Sequence, residues 1–126
     1  SVFLAKGDCA NNFLTSKLVD VAINEGLDLL HVHYAIPHAS AAISAKQILS
    51  NQDINIPIVT TLHGTDITLL GKDASFKPVI EFAINMSDIV TVVSKDLKNE
   101  TLAHFKIKKE IRFVSHNRYL SFAITN

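Results

Sequence analysis

Residues Ile56 to Leu62 read Ile-Pro-Ile-Val-Thr-Thr-Leu, an apolar, β-branched run that stops abruptly at His63-Gly64-Thr65-Asp66. Its length and composition are those of a strand buried on both faces, as strands of parallel sheets are. Ligands of such sheets gather just beyond the carboxyl ends of the strands. Gly64 has no Cβ, so the backbone there can turn sharply or let a ligand approach closely. His63 and its neighbours are therefore expected to line a site.

The rest of the chain supplies partners for this strand. Ser1–Asn12 has a short apolar start, then Gly7, Asp8 and two asparagines that suggest a turn. From Phe13 the pattern is helical, with Leu14, Leu18, Val21 and Ala22 on one face and Gly26 where a left-handed cap is wanted. Leu27–Val32 reads as a strand, followed by His33-Tyr34-Ala35-Ile36-Pro37-His38. Pro37 and His38 open an alanine-rich helix that runs to about Leu49. Asn51–Asn55 and Gly71–Ser75 are loops, and between the second loop and the next strand Phe76, Val79, Ile80 and Ala83 form a helical stripe. Asp88–Val93 is a strand, and Ser94 is placed to cap a helix running to about Phe105. Ile111–Val114 is a last short strand. Met86 and the phenylalanines read as core.

Helices and strands alternating at this spacing predict a Rossmann-like α/β domain. It is an open parallel sheet with helices on both faces, joined by right-handed crossovers. The domain is expected to be incomplete, because its first recognisable element is a helix and it lacks a glycine-rich strand-to-helix turn.

At 126 residues the chain has room for one core. Twelve basic residues balance twelve acidic ones, so no net field points to nucleic acid or to an anionic membrane. Cys9 is alone, which excludes an internal disulfide and fits a reducing cytoplasm. No apolar stretch is long enough to span a bilayer, and no signal-peptide order is visible.

Several side chains carry chemistry. His31-Val32-His33 puts two imidazoles on one face of a strand, and His38 or His63 would complete a metal-binding set. The other reading has His31 half-buried under a helix and His33 at the strand end beside a site, with no metal. Tyr34 offers a donor and a ring face to a small polar ligand, or simply packs over its loop. His63 is either a solvated strand cap or a neutral hydrogen-bonding group near a reacting centre. Thr65 and Asp66 read as caps of a following turn, and Lys106–Lys109 as a solvated run.

Taken in order, HVHYAIPH (His31–His38), TTLHGTD (Thr60–Asp66), FKPVIEF (Phe76–Phe82) and Asn85–Leu97 resemble the N-terminal half of family-4, retaining, GT-B glycosyltransferases. The resemblance covers about Phe13 to Glu110. Within that family, HYAIPHA followed by TTLHGTD is most similar to the enzymes that join N-acetylglucosamine from UDP-GlcNAc to L-malate, the first step of bacillithiol synthesis. The resemblance implies that His63, the catalytic candidate, and Gly64 lie in the loop facing the donor sugar. It also implies that Tyr34 and Thr61 hold the malate acceptor. Family-4 enzymes of this kind are described as attacking from the leaving-group face without a protein nucleophile. Catalysis then rests on positioning and on stabilising the departing phosphate. No cofactor and no divalent metal are expected, and the implied partners are UDP-GlcNAc and L-malate; a homo-oligomer is left open, since the sequence does not give the oligomeric state.

The whole chain, residues 1–126, then corresponds to a partial acceptor-side domain lacking the C-terminal nucleotide-sugar domain, and it is expected to be inactive alone. Past Ile111 the similarity decays, so Ser115–Asn126 receive no role beyond covering a sheet edge. Rival expectations are a family-4 enzyme with a lipid or sugar acceptor, a metal-dependent hydrolase using His31, His33 and His63, or a non-catalytic interaction domain.

Overall fold

Five consecutive buried residues make β2 (Ile58–Leu62) the central strand, as its unbroken apolar run requires. In the computed structural model, residues 2–65, 67, 73 and 75–114 are described, without the side chains of residues 2–11. The other strands are β1 (Leu30–His33), β3 (Ile89–Val92) and β4 (Ile111–Phe113). All neighbours pair in parallel, in the order β1-β2-β3-β4. The helices are α1 (Val2–Glu25), α2 (Ser40–Ser50), α3 (Lys77–Met86) and α4 (Lys95–His104).

Register fixes what each face carries, because side chains alternate along a strand. Leu30 pairs with Ile58, Thr60 with Val90, Leu62 with Val92 and Val90 with Ile111. Leu30, Ile58, Leu62, Val90, Val92 and Ile111 thus share one face, and these are the strand residues in the main apolar cluster. Val19 and Ala22 of α1, Leu49 of α2, Ile80 and Ile84 of α3 and Leu97 of α4 complete it. Right-handed crossovers between strands laid down without reversal put their helices on a common side. The described residues therefore form one wing of the open α/β sheet. The alternate positions, His31, His33, Val59, Thr61 and Thr91, form the second face.

Differences from the sequence reading have local causes. α1 runs through Gly7 and both asparagines rather than turning there; a helical glycine costs only about 1 kcal/mol against alanine, and an established helix propagates through it. Pro37 does not open α2, which begins at Ser40. A five-residue wide turn, Ala35–Ala39, precedes it, with a cis Ile36–Pro37 bond.

Met86 and most described phenylalanines are not core. Met86 is 46% exposed and Phe82 51%, with Phe13, Phe76 and Phe113 also exposed, and only Phe105 among those described is buried. On α3 the inner stripe is taken by Ile80, Ala83 and Ile84, leaving Phe76, Val79, Phe82 and Met86 on the flank. Periodicity marks an apolar sector but not which part of it meets the sheet.

At the amino ends of the strands, Asp88 accepts from the Ile58 N–H at 2.8 Å and from Lys46 Nζ at 2.7 Å. Burial pushes its carboxyl up, but Lys46, the Ile58 N–H and Lys109 outweigh that and hold it below the usual range. The lysine run is solvated only in its side chains. Its backbone is clamped to α3, with Lys106 N donating to Glu81 Oε1, Lys108 N to Asn85 Oδ1, and Asn85 Nδ2 to Lys106 O. Ser94 caps α4 as expected, its Oγ accepting from Leu97 N at 3.1 Å. Ser94→Ala is expected to cost about 1 kcal/mol in urea unfolding. A cost near zero would mean that this bond is replaced by water without loss.

Candidate functional site

The site is assembled where β1 and β2 end. Past the strands the pairing continues for one bond, Tyr34 N donating to Thr61 O at 2.9 Å. This carries the loop after β1 alongside the loop after β2. The Tyr34 and His63 ring centroids come within 5.1 Å, and Tyr34 lies 6.1 Å from His38. The two loops read from the sequence as one site do meet.

Backbone geometry holds both loops in uncommon shapes. Gly64 has φ +111°, and among the described residues a Cβ there would meet only Leu97, at an ordinary 3.7 Å. Glycine is required by the dihedral, not by crowding. Tyr34 has φ 74° and ψ 139° without being glycine, a conformation that costs on the order of 1–3 kcal/mol and recurs at functional sites. Tyr34→Gly is therefore expected to raise the unfolding midpoint while weakening ligand binding. A glycine variant that is both less stable and fully binding would contradict the strain.

Four imidazoles are linked beside the tyrosine, His38 and His63 against its ring and His31 and His33 behind them. His33 Nδ1 and His63 Nε2 are hydrogen-bonded at 2.8 Å. His38 Nδ1 donates to His33 O at 2.9 Å. His31 stacks on His33 with centroids 4.9 Å apart, and its Nε2 bonds Thr61 Oγ1 at 2.8 Å. Thr61 in turn bonds Thr91 Oγ1 at 2.7 Å. Thr61, expected among the acceptor contacts, is 1% exposed. Its hydroxyl is taken up inside the sheet, where it orients His31. Asp66 lies outside the described residues, as do Ser115–Asn126; Thr65 is exposed, and Ile67 N donates to Gly64 O across the turn.

His33 and His63 spend a nitrogen on each other and His31 spends one on Thr61. Among the described residues no three His, Cys, Asp or Glu side chains converge as a metal ion needs. Two of the four imidazoles, His31 and His33, are biased toward the neutral form. Burial first, then the charge of His63, holds His31 below its ordinary pKa; burial, then His31, His63 and His38, does the same for His33.

The sign of the pH effect follows. Between these lowered values and the ordinary 6.5, the unfolded chain binds more protons than the folded one. The stability contribution is full above pH 6.5 and is lost as pH falls through the folded values. Melting is expected at a lower temperature at pH 5.5 than at pH 7.5, with the difference reduced in a His31→Gln, His33→Asn variant. Equal midpoints in the parent chain would refute the burial of these imidazoles.

A groove of about 260 Å³, lined by Leu14, Leu18, His31, Val32, His33 and His38, adjoins the cluster. A larger cleft of about 630 Å³ lies between α2 and α3 at the opposite rim, beside Lys46, Asn85, Asp88 and Lys109. It faces the amino ends of the strands, where parallel sheets do not collect ligands; the smaller groove meets the histidine cluster through His31, His33 and His38, while Tyr34 and His63 lie outside its lining.

The family profile described as Glycosyltransferase Family 4 matches residues 3–117. Over 101 residues, 80% of this chain, the sequence is 54% identical to N-acetyl-alpha-D-glucosaminyl L-malate synthase of Bacillus anthracis, covering 26% of that protein. Over 99 residues, 79% of this chain, it is 30% identical to an uncharacterized glycosyltransferase of Methanocaldococcus jannaschii, covering 27% of it. The chain thus spans about a quarter of the length of either relative.

Proposed function

This chain belongs to Glycosyltransferase Family 4, and from that premise we propose that it forms the acceptor side of an enzyme joining N-acetylglucosamine, carried by UDP-GlcNAc, to L-malate. The observation that carries the reading is the meeting of Tyr34 and His63 at the strand ends, in a segment 54% identical to a synthase named for that product. In this reading His63 faces the donor sugar, with Gly64 letting the backbone come close. Tyr34 supplies a hydroxyl and a ring face to the malate, while Thr61 acts from behind through His31. Transfer proceeds by positioning and by hydrogen bonds to developing charge, with no protein nucleophile, no cofactor and no divalent metal. The reaction is placed in the cytoplasm, as the first step of bacillithiol synthesis. Among the described residues no helix is long and apolar enough to cross a membrane.

The cleft of a two-domain transferase needs both walls. The chain alone is expected to release no UDP from UDP-GlcNAc and L-malate. Grafted in place of the matching 101 residues of the Bacillus anthracis synthase, it is expected to support GlcNAc-malate formation. A folded graft that ignores malate but glycosylates a lipid or sugar would assign it another acceptor and overturn the malate reading.

A further inference from the structure

His63 reaches the candidate site with one nitrogen already committed. Its Nε2 lies 2.8 Å from His33 Nδ1, and Nδ1 carries no hydrogen bond to another described residue. We propose that His33 is the positioning residue of this site: its Nδ1–H donates to His63 Nε2, which keeps the His63 proton on Nδ1 and aims that N–H at the ligand. The choice of a donor over an acceptor rests on the reading above, because both proposed substrates present anionic oxygens, the carboxylates of malate and the diphosphate of the nucleotide.

The physical argument is one of proton counting. Two neutral imidazoles facing each other nitrogen to nitrogen have one proton in the bond between them. If His33 supplies it, His63 must carry its own proton on Nδ1 and is a donor. If His63 supplies it, its Nδ1 is a bare lone pair and repels an anionic oxygen. The partner thus sets the chemical sense of the outward nitrogen, as the group behind a histidine generally does.

The fold restricts His33 in turn. It ends β1 on the same face as His31, which stacks on it, and its carbonyl accepts from His38 Nδ1. The ring is thereby held by His31 on the strand side, and the backbone that carries it by His38 on the loop side. The titratable groups facing the pair among the described residues are His31 on β1, Tyr34 just beyond it and His38 in the turn before α2. None carries a fixed positive charge. Thr61 and Thr91 on β2 and β3 extend the chain of bonds behind His31 into the sheet.

The test reads tautomers directly and needs no catalysis. Long-range proton–nitrogen correlation spectra of the 126-residue chain at pH 8 are expected to show His63 protonated on Nδ1 and bare on Nε2. In His33→Leu the His63 signals should shift to the Nε2–H form that free imidazole favours. In His33→Asn, whose amide places a donor near the position of Nδ1, the parent pattern should return. L-malate, titrated by the same signals, is expected to bind roughly tenfold more weakly to His33→Leu, the size of one hydrogen bond, and to recover in His33→Asn. A parent His63 already in the Nε2–H form, or a tautomer indifferent to both substitutions, overturns the proposal. Should His33→Leu fail to fold, the parent and the asparagine variant still decide it. If the tautomers behave as described but malate does not bind, His33 keeps its role and the malate reading is what fails.

Discussion

Alanine at position 63 is expected to lower the kcat for GlcNAc transfer in the grafted enzyme by about 10²- to 10³-fold, the loss seen when one preorganised donor to a developing charge is removed. KM for L-malate should rise by only about tenfold, the size of the one ground-state hydrogen bond lost, because the larger part of the donor's effect falls on charge that appears in the transition state. The mutation should also leave the fold intact. His63 is exposed, is not a member of the apolar cluster, and among the described residues its side chain bonds another site residue, His33. A His63→Ala graft retaining a third or more of its turnover would remove His63 from the reaction. A graft that loses KM alone would make it a binding residue.

One residue earlier the expected effect is on folding. Leu62 is completely buried on the face that packs against the helices. Truncating such a leucine leaves a cavity and costs about 2–5 kcal/mol. Whole domains of this size are stable by only about 5–15 kcal/mol, so Leu62→Ala should bring the urea midpoint close to zero or abolish folding at 37 °C. Met86→Ala, at a side chain 46% exposed, is the control and should cost well under half as much. Equal losses at the two positions would mean that the core is not where the register puts it. Neighbouring residues on β2 thus divide between chemistry and cohesion.

What could be read in advance follows from which signals are local. The β2 run, the Ser94 cap and the alternation of elements are set by short-range pattern, and all are found. The meeting of Tyr34 with His63 was legible too, since parallel strands deliver their following loops to one rim. The histidine chain was not. That His31 bonds Thr61 and His33 bonds His63 depends on the register of β1 against β2, with His33 opposite Thr61, and register leaves no mark in a single sequence. Thr61 shows the consequence: polar and next to the loop, it reads as a ligand contact, and the structure buries it on the histidine-bearing face with its hydroxyl between His31 and Thr91. The flank of α3 escaped for a related reason, because an apolar sector wider than its contact looks the same as one fully engaged.

Asp88 joins the start of β2 and the end of α2 through one carboxylate, at the rim away from the imidazoles. Such a division of labour decouples two kinds of drift. Changes around Asp88 and Lys46 act on whether the scaffold assembles, and changes around Tyr34 and His63 act on what the assembled scaffold recognises. An engineer seeking a new acceptor can therefore rework the histidine rim while reinforcing the far one, with neither effort undoing the other.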